Sequence, residues 1–199
     1  MKNLGFKKYK KLIQEFNSLE GLWNASKEQL EKIDGINQKL AEIILNKDLK
    51  LDVNRHLEYM RKHSIGIVSI EDSEYPKLLK EISNPPICLY IIGRKEILNQ
   101  VNIAIIGSRD ATEYGKYVAK DFAHKLSSNG FNVVSGLARG IDTYVHIGAI
   151  NSRGKTIAVL GNGLDTIFPK ENTKLAEQII NTGGCIISEY PLGTRTREK

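Results

Sequence analysis

Arginine, lysine and serine set in glycine-containing turns are the side chains best suited to hold an anion, and this chain has several such turns. Gly107-Ser108-Arg109 follows the apolar run Ile103–Ile106. The glycine lets backbone approach a ligand closely, the serine hydroxyl can donate to an oxyanion, and arginine can form a two-pronged bond to phosphate. Ser135-Gly136-Leu137-Ala138-Arg139-Gly140 repeats that chemistry after Val133-Val134. Lys170 lies in Phe168-Pro169-Lys170-Glu171-Asn172, near the turn that follows a third run, Ile157–Leu160, and would be the third cation of a shared pocket. The ligand class this predicts is a phosphate.

Other spacings are less productive. Asp142 and His146 are four apart at the start of a helix, so they share a face. They form either an acid–base pair or a structural brace, and no nucleophile or metal cluster accompanies them. Gly161-Asn162-Gly163 lacks the third glycine of a dinucleotide fingerprint and does not lead into a helix. Gly148 to Gly154-Lys155-Thr156 has five intervening residues where a P-loop has four, and it precedes a strand instead of following one. Four histidines and two cysteines are dispersed along the chain, which argues against zinc. No catalytic residue, metal or cofactor is expected. The surface aromatics are expected to be few, with no aromatic cluster lining the turns, so base stacking would be weak.

The turns need a scaffold, and the residues between them supply one. Short β-branched runs recur at Asn102–Ile106, Phe131–Ser135, Thr156–Leu160 and Cys185–Ser188, as suits strands buried on both faces of a parallel sheet. Helices are expected between them, from about Glu113 to Asn129, Asp142 to Ile150 and Asn172 to Thr182. Thr112 and Asn172 are candidate N-caps. The fold class is α/β, a doubly wound, mainly parallel sheet whose post-strand turns gather on one edge, where ligands bind.

The first hundred residues differ: twelve of the 17 glycines come after residue 100. Leu30, Ile33, Ile36, Leu40, Ile43 and Ile44 recur at helical spacing around the turn Asp34-Gly35-Ile36-Asn37, and Ser26 with Gln29 reads as a capping box. This is either a helix-hairpin-helix that holds a nucleic-acid phosphate or a small bundle that packs and mediates contacts. Residues 47–63 read as another amphipathic helix. Residues 64–100 read as a short strand pair or connecting element, so the division is 1–63, 64–100 and 101–199.

Hydrophobic residues make up 41% and charged residues 26% of the 199, the balance of a soluble globular protein. No apolar run reaches bilayer or signal-peptide length, and Cys88 and Cys185 lack CxxC spacing, which suits reduced thiols in a cytoplasm. The formal charge of +6 is uneven. Residues 1–63 carry 13 Lys and Arg against 9 Asp and Glu, or +4; residues 64–100 carry 4 against 5, or −1; residues 101–199 carry 12 against 9, or +3. Both ends can meet a polyanion, although a solvated surface shows the same excess.

The segments IAIIGSRDATEYG, FNVVSGLARGIDTYVHIGAI, KTIAVLGNGLDTIFPKENTKLAEQI and GGCIISEYPLGT resemble the DNA-processing protein A family, DprA or Smf. EDSEYPKLLKEISNPPICLYIIG and the helical N-terminal region are similar to it as well. The resemblance implies an extended Rossmann-like domain preceded by a small helical domain of helix-hairpin-helix or SAM-like type. It implies a non-enzymatic protein that binds single-stranded DNA and loads RecA-type recombinase during natural transformation. Arg109 and Lys170 would be its leading DNA contacts and Arg139 a third. Family members continue past SEYPxGT into a stretch resembling FPxRNRIIxGLS, whereas this chain stops at Lys199. The Rossmann-like domain is therefore expected to be incomplete at its C-terminus, without the usual surface for a homodimer. The alternative is a small-nucleotide-binding enzyme or sensor of the related Rossmann-like proteins. Those resemble each other in PGGxGTxxE, of which only Gly183-Gly184 and, separately, Gly193-Thr194 occur here.

Overall fold

The computed structural model describes residues 5–46 and 49–196, and of 49–52 the backbone alone. The first two residues of the helix expected over 47–63 lie outside these. The chain opens with helices α1 (Phe6–Phe16), α2 (Leu19–Trp23), α3 (Lys27–Glu31), α4 (Gln38–Leu45) and α5 (Leu49–Lys62). The expected capping box starts α3: Ser26 Oγ accepts from Gln29 N at 3.2 Å and Gln29 Oε1 accepts from Ser26 N at 2.8 Å. Asn37 Oδ1 then accepts from Leu40 N to start α4. Leu12, Leu30, Ile36, Leu40, Ala41 and Ile44 bury together as the core of this helical part.

Strands β1 (Gly66–Ser69) and β2 (Cys88–Gly93) flank the short helix α6 (Lys77–Lys80). A 3-10 turn, Lys95–Asn99, then leads to β3 (Asn102–Ala104), α7 (Glu113–Ser128), β4 (Asn132–Ser135), α8 (Ile141–Asn151), β5 (Thr156–Leu160), α9 (Thr173–Asn181) and β6 (Cys185–Ser188). Among the described residues the strands form one sheet in the order β1-β2-β6-β5-β4-β3. The pairs from β6 to β3 are parallel, while β1–β2 and β2–β6 are antiparallel. The strand pair read from residues 64–100 is thus part of the same sheet as the later strands.

Alternation along the strands covers both faces. Leu89, Ile91, Ile157, Cys185 and Ile187 pack with Tyr9 of α1, while Ala158, Leu160 and Ile186 pack with Leu175 and Ile179 of α9 and with Met60 of α5. Val133 meets Ala123 of α7 and Val145 of α8. Burial of this kind is why the runs are β-branched and continuous. Cys88 and Cys185 are free thiols, and burial pushes Cys185 up to about 12. No described helix is long and apolar enough to cross a membrane.

Candidate nucleic-acid interface

The turns after β3 and β4 interlock through their glycines. Gly140 has φ +74°, and a Cβ there would run into the carbonyl oxygens of Ser108 and Arg109. A Cβ on Gly107 would lie 2.6 Å from Cγ1 of Ile141. Ile141 N donates to Ser108 O at 3.1 Å, which sews the start of α8 to the first turn. The sequence suggested that these glycines admit a ligand. In the structure they admit the neighbouring turn, and by doing so they fix where Arg109 and Arg139 stand.

Two members of the expected set have structural bonds to make. Ser135 is 2% exposed and its hydroxyl donates to Ile105 O at 2.7 Å. Gly136 N donates to Asp142 Oδ2 at 3.1 Å, with Ala138 N at 3.4 Å from the same oxygen. Ser135 therefore braces the turn from inside, while Gly136 commits its N–H to Asp142 and still lines the crevice that Arg109 and Arg139 share. Ser108 is exposed, and its Oγ accepts from Asp110 N, which leaves its proton available. Thr112 caps α7 as expected, accepting from Gly115 N at 3.1 Å.

Asp142 and His146 do not bond to each other. His146 is buried with Nδ1 2.8 Å from Thr156 Oγ1, and the Thr156 hydroxyl donates to Val133 O at 2.7 Å. With the threonine proton so committed, Nδ1 carries the imidazole proton and Nε2 is a buried lone pair without a partner. Burial holds the imidazole pKa down to about 3. Of the two readings of this pair, the geometry supports the brace.

Asn172 corrects another expectation. It does not cap α9 with its side chain. Its Nδ2 donates instead to Leu137 O and Thr143 Oγ1, both at 2.9 Å, and Thr143 Oγ1 donates to Ala138 O. Leu137 is buried at φ +55°, so its carbonyl has no water to bond and needs an internal donor. This link fastens the Lys170 segment to the turn that carries Arg139.

The cations divide into two kinds. Among the described residues, Arg109 and Lys170 are exposed and make no side-chain hydrogen bond or ion pair. Arg139 is bound to Glu171 through both prongs, Nε to Oε1 and Nη2 to Oε2. Each partner holds the other charged: the Arg139 pKa is raised and that of Glu171 lowered, chiefly by this bond.

Arg109 and Arg139 line two adjoining crevices of about 400 and 370 Å³. Lys116 and Tyr144 complete the first, with Lys116 Nζ 5.7 Å from the Tyr144 ring centre. Phe168 and Asn162 help to line the second. Lys170 lines neither, although Pro169 and Glu171 on either side of it do. Lys116 escaped the sequence reading; the signal was its place one turn into the helix that Thr112 caps. The scarcity of exposed aromatics is also corrected, since Tyr114 and Tyr117 are 77% and 68% exposed. Among the described residues no three His, Cys, Asp or Glu side chains are grouped to hold a metal.

Residues 66–199 match the sequence profile of DNA recombination-mediator protein A. The chain belongs to that family. It is 37% identical to the Smf protein of Synechocystis over 98% of its own length and 50% of the relative's. It is 40% identical to the DNA processing protein DprA of Streptococcus pneumoniae over 63% of the chain and 44% of that protein. The X-ray structure of the pneumococcal protein superposes with a TM-score of 0.64 at 29% identity, covering 96% of this chain and 69% of that one. DNA processing protein A from Helicobacter pylori, described for its single-stranded DNA binding mode, gives a TM-score of 0.59 at 32% identity over 67% of this chain and 59% of its own. The chain spans about half the length of the curated relatives it matches. The six-stranded α/β architecture is thus that of the family.

Proposed function

We propose that this chain binds single-stranded DNA along the carboxyl edge of its sheet, through its phosphates, as a non-enzymatic mediator of recombination. The observation that carries this reading is Arg109, exposed and unpaired among the described residues at the seam of two interlocked turns. The turn fixes where the side chain is rooted, and the planar guanidinium fork loses less freedom per hydrogen bond to phosphate than an ammonium would. Lys170 adds a second unpaired cation, and Arg139 a third wherever phosphate displaces Glu171. The described binding mode of the Helicobacter relative supports the choice of ligand.

Protection of incoming strands and loading of a RecA-type recombinase in natural transformation, within the cytoplasm, complete the reading. Binding is tested by comparing single strands, duplex and mononucleotides at two salt concentrations. Single strands are expected to bind best, with a log–log salt slope of roughly −0.7 per phosphate neutralised. Equal affinity for duplex, or indifference to salt, would count against the reading. Loading is tested by the rate of recombinase filament growth on single strands with and without the chain, which is expected to rise when it is present. Purified chain is expected not to turn over DNA, ATP or nucleoside monophosphates. The carboxylate of Asp142 is already committed to backbone N–H groups, and the imidazole of His146 is sealed in the core.

A further inference from the structure

A third crevice, of about 220 Å³, opens where α5 meets the loops after β5 and β6. Arg55, His56 and Tyr59 of α5 line one side, and Asp165 and Leu192 the other. Tyr59 is 37% exposed and stacks on His63, ring centres 4.1 Å apart and planes 25° from parallel. Asp165 is fixed by Gly193 N, which donates to its Oδ1 at 2.9 Å. Leu192 gives an apolar floor packed on the core that also holds Met60 of α5. The loops are those of the proposed DNA edge. Asn162 and Thr196 line the crevice beside Arg109, while Asp165 and Leu192, three and four residues away in the chain, line this one.

We propose that this crevice stacks one base of a bound single strand. The inference rests on the single-strand reading above and extends it from phosphate to base. A braced aromatic ring, a guanidinium and an apolar floor are the parts from which base platforms are built. The Asp165 carboxylate makes the site poor for phosphate, so the part of a nucleic acid that fits is the flat, uncharged one. The strand order places the crevice at the β5 and β6 end of the edge, with Arg109 at the β3 end. A strand crossing the sheet's carboxyl edge would lay its backbone on Arg109 and turn a base onto Tyr59.

The test uses the whole chain with two single strands of equal length. One carries 2-aminopurine among ordinary bases, and the other is abasic throughout, so that only its phosphates remain. The parent is expected to bind the intact strand at least about fivefold more tightly than the abasic one, and to change the 2-aminopurine fluorescence. Arg55→Ala and Tyr59→Ala should shrink that ratio and lose the fluorescence change, while Tyr59→Phe keeps both. Arg55 is exposed, so its variant reports even where Tyr59→Ala fails to fold. Arg109→Ala should weaken both strands alike. If Arg55→Ala keeps the parent's ratio and fluorescence change, or if the parent binds both strands equally, the base site is overturned and the phosphate reading survives. If the parent binds neither strand, both fall. Thymidine monophosphate that abolishes the fluorescence change at concentrations near that of the protein would assign the crevice to free nucleotide and overturn the strand assignment.

Discussion

Glu171 clamps Arg139 across the gap between the turn after β4 and the segment that carries Lys170, with Nη2 3.2 Å from Oε2. Both side chains are more than half exposed, so the pair contributes little to stability but sets the local charge. A phosphate arriving at Arg109 meets this carboxylate as a competitor for the neighbouring guanidinium. Glu171→Gln is therefore expected to bind single strands more tightly than the parent. Its log–log salt slope should deepen by about 0.7, the increment for one more phosphate neutralised. An unchanged slope in filter-binding or anisotropy titrations would show that Arg139 already meets phosphate in the parent, or never does.

The buried imidazole of His146 predicts a pH dependence of stability. Its folded pKa, about 3, lies below the unfolded value of about 6.5. The unfolded chain therefore takes up a proton first as pH falls. The stability is intact above pH 6.5 and drains as pH drops toward 3, at up to about 1.4 kcal/mol per pH unit. Urea unfolding at pH 5 should give a free energy about 2 kcal/mol below that at pH 7. A flat profile over that interval would mean that the folded state finds a way to hydrate or pair Nε2.

Gly140 is the hinge of the two-turn seam. An alanine there must adopt φ +74° and displace the carbonyl oxygens of Ser108 and Arg109. Gly140→Ala is expected to cost about 2–4 kcal/mol in denaturant unfolding, and to weaken single-strand binding under conditions where the variant is still folded. Parent-like stability would show that the seam opens at little cost.

These relationships explain which parts of the fold and site the sequence made legible. The strands at Asn132–Ser135, Thr156–Leu160 and Cys185–Ser188 were readable because they are largely buried and so written in β-branched residues, whereas β3, at the edge of the sheet with Ala104 exposed, was legible only as a short apolar run. The capping box at Ser26 and the cap at Thr112 were readable because cap and capped group lie three residues apart. Arg109, Lys170 and Arg139 stood out as cations in turns. What stayed hidden joins positions distant along the chain. Glu171 reaches Arg139 across 32 residues, and Asn172 reaches Leu137 across 35, leaving α9 without the side-chain cap its sequence offers. Ser135 and Gly136 carry the right chemistry for a phosphate turn, yet the neighbouring β3 segment and Asp142 take it up. The crevice at Tyr59 joins a helix in the first third of the chain to loops in the last. No local pattern announces that meeting.

In the proposed function Arg109 and Lys170 act as one phosphate site although 61 positions separate them. Arg109→Ala and Lys170→Ala should each lose roughly tenfold or more in affinity for single-stranded DNA, as expected for a charged hydrogen bond to phosphate of about 1.5–3 kcal/mol. Both side chains are exposed, so unfolding midpoints should stay with the parent. Lys125, on α7 and paired with Asp121 at 2.7 Å, is the control and should be nearly silent as Lys125→Ala. The decisive measurement is the single-strand dissociation constant of these three variants at one fixed salt concentration. Losses are expected at Arg109 and Lys170 alone. Parent-like binding by both of those variants, with a loss at Lys125, would contradict it.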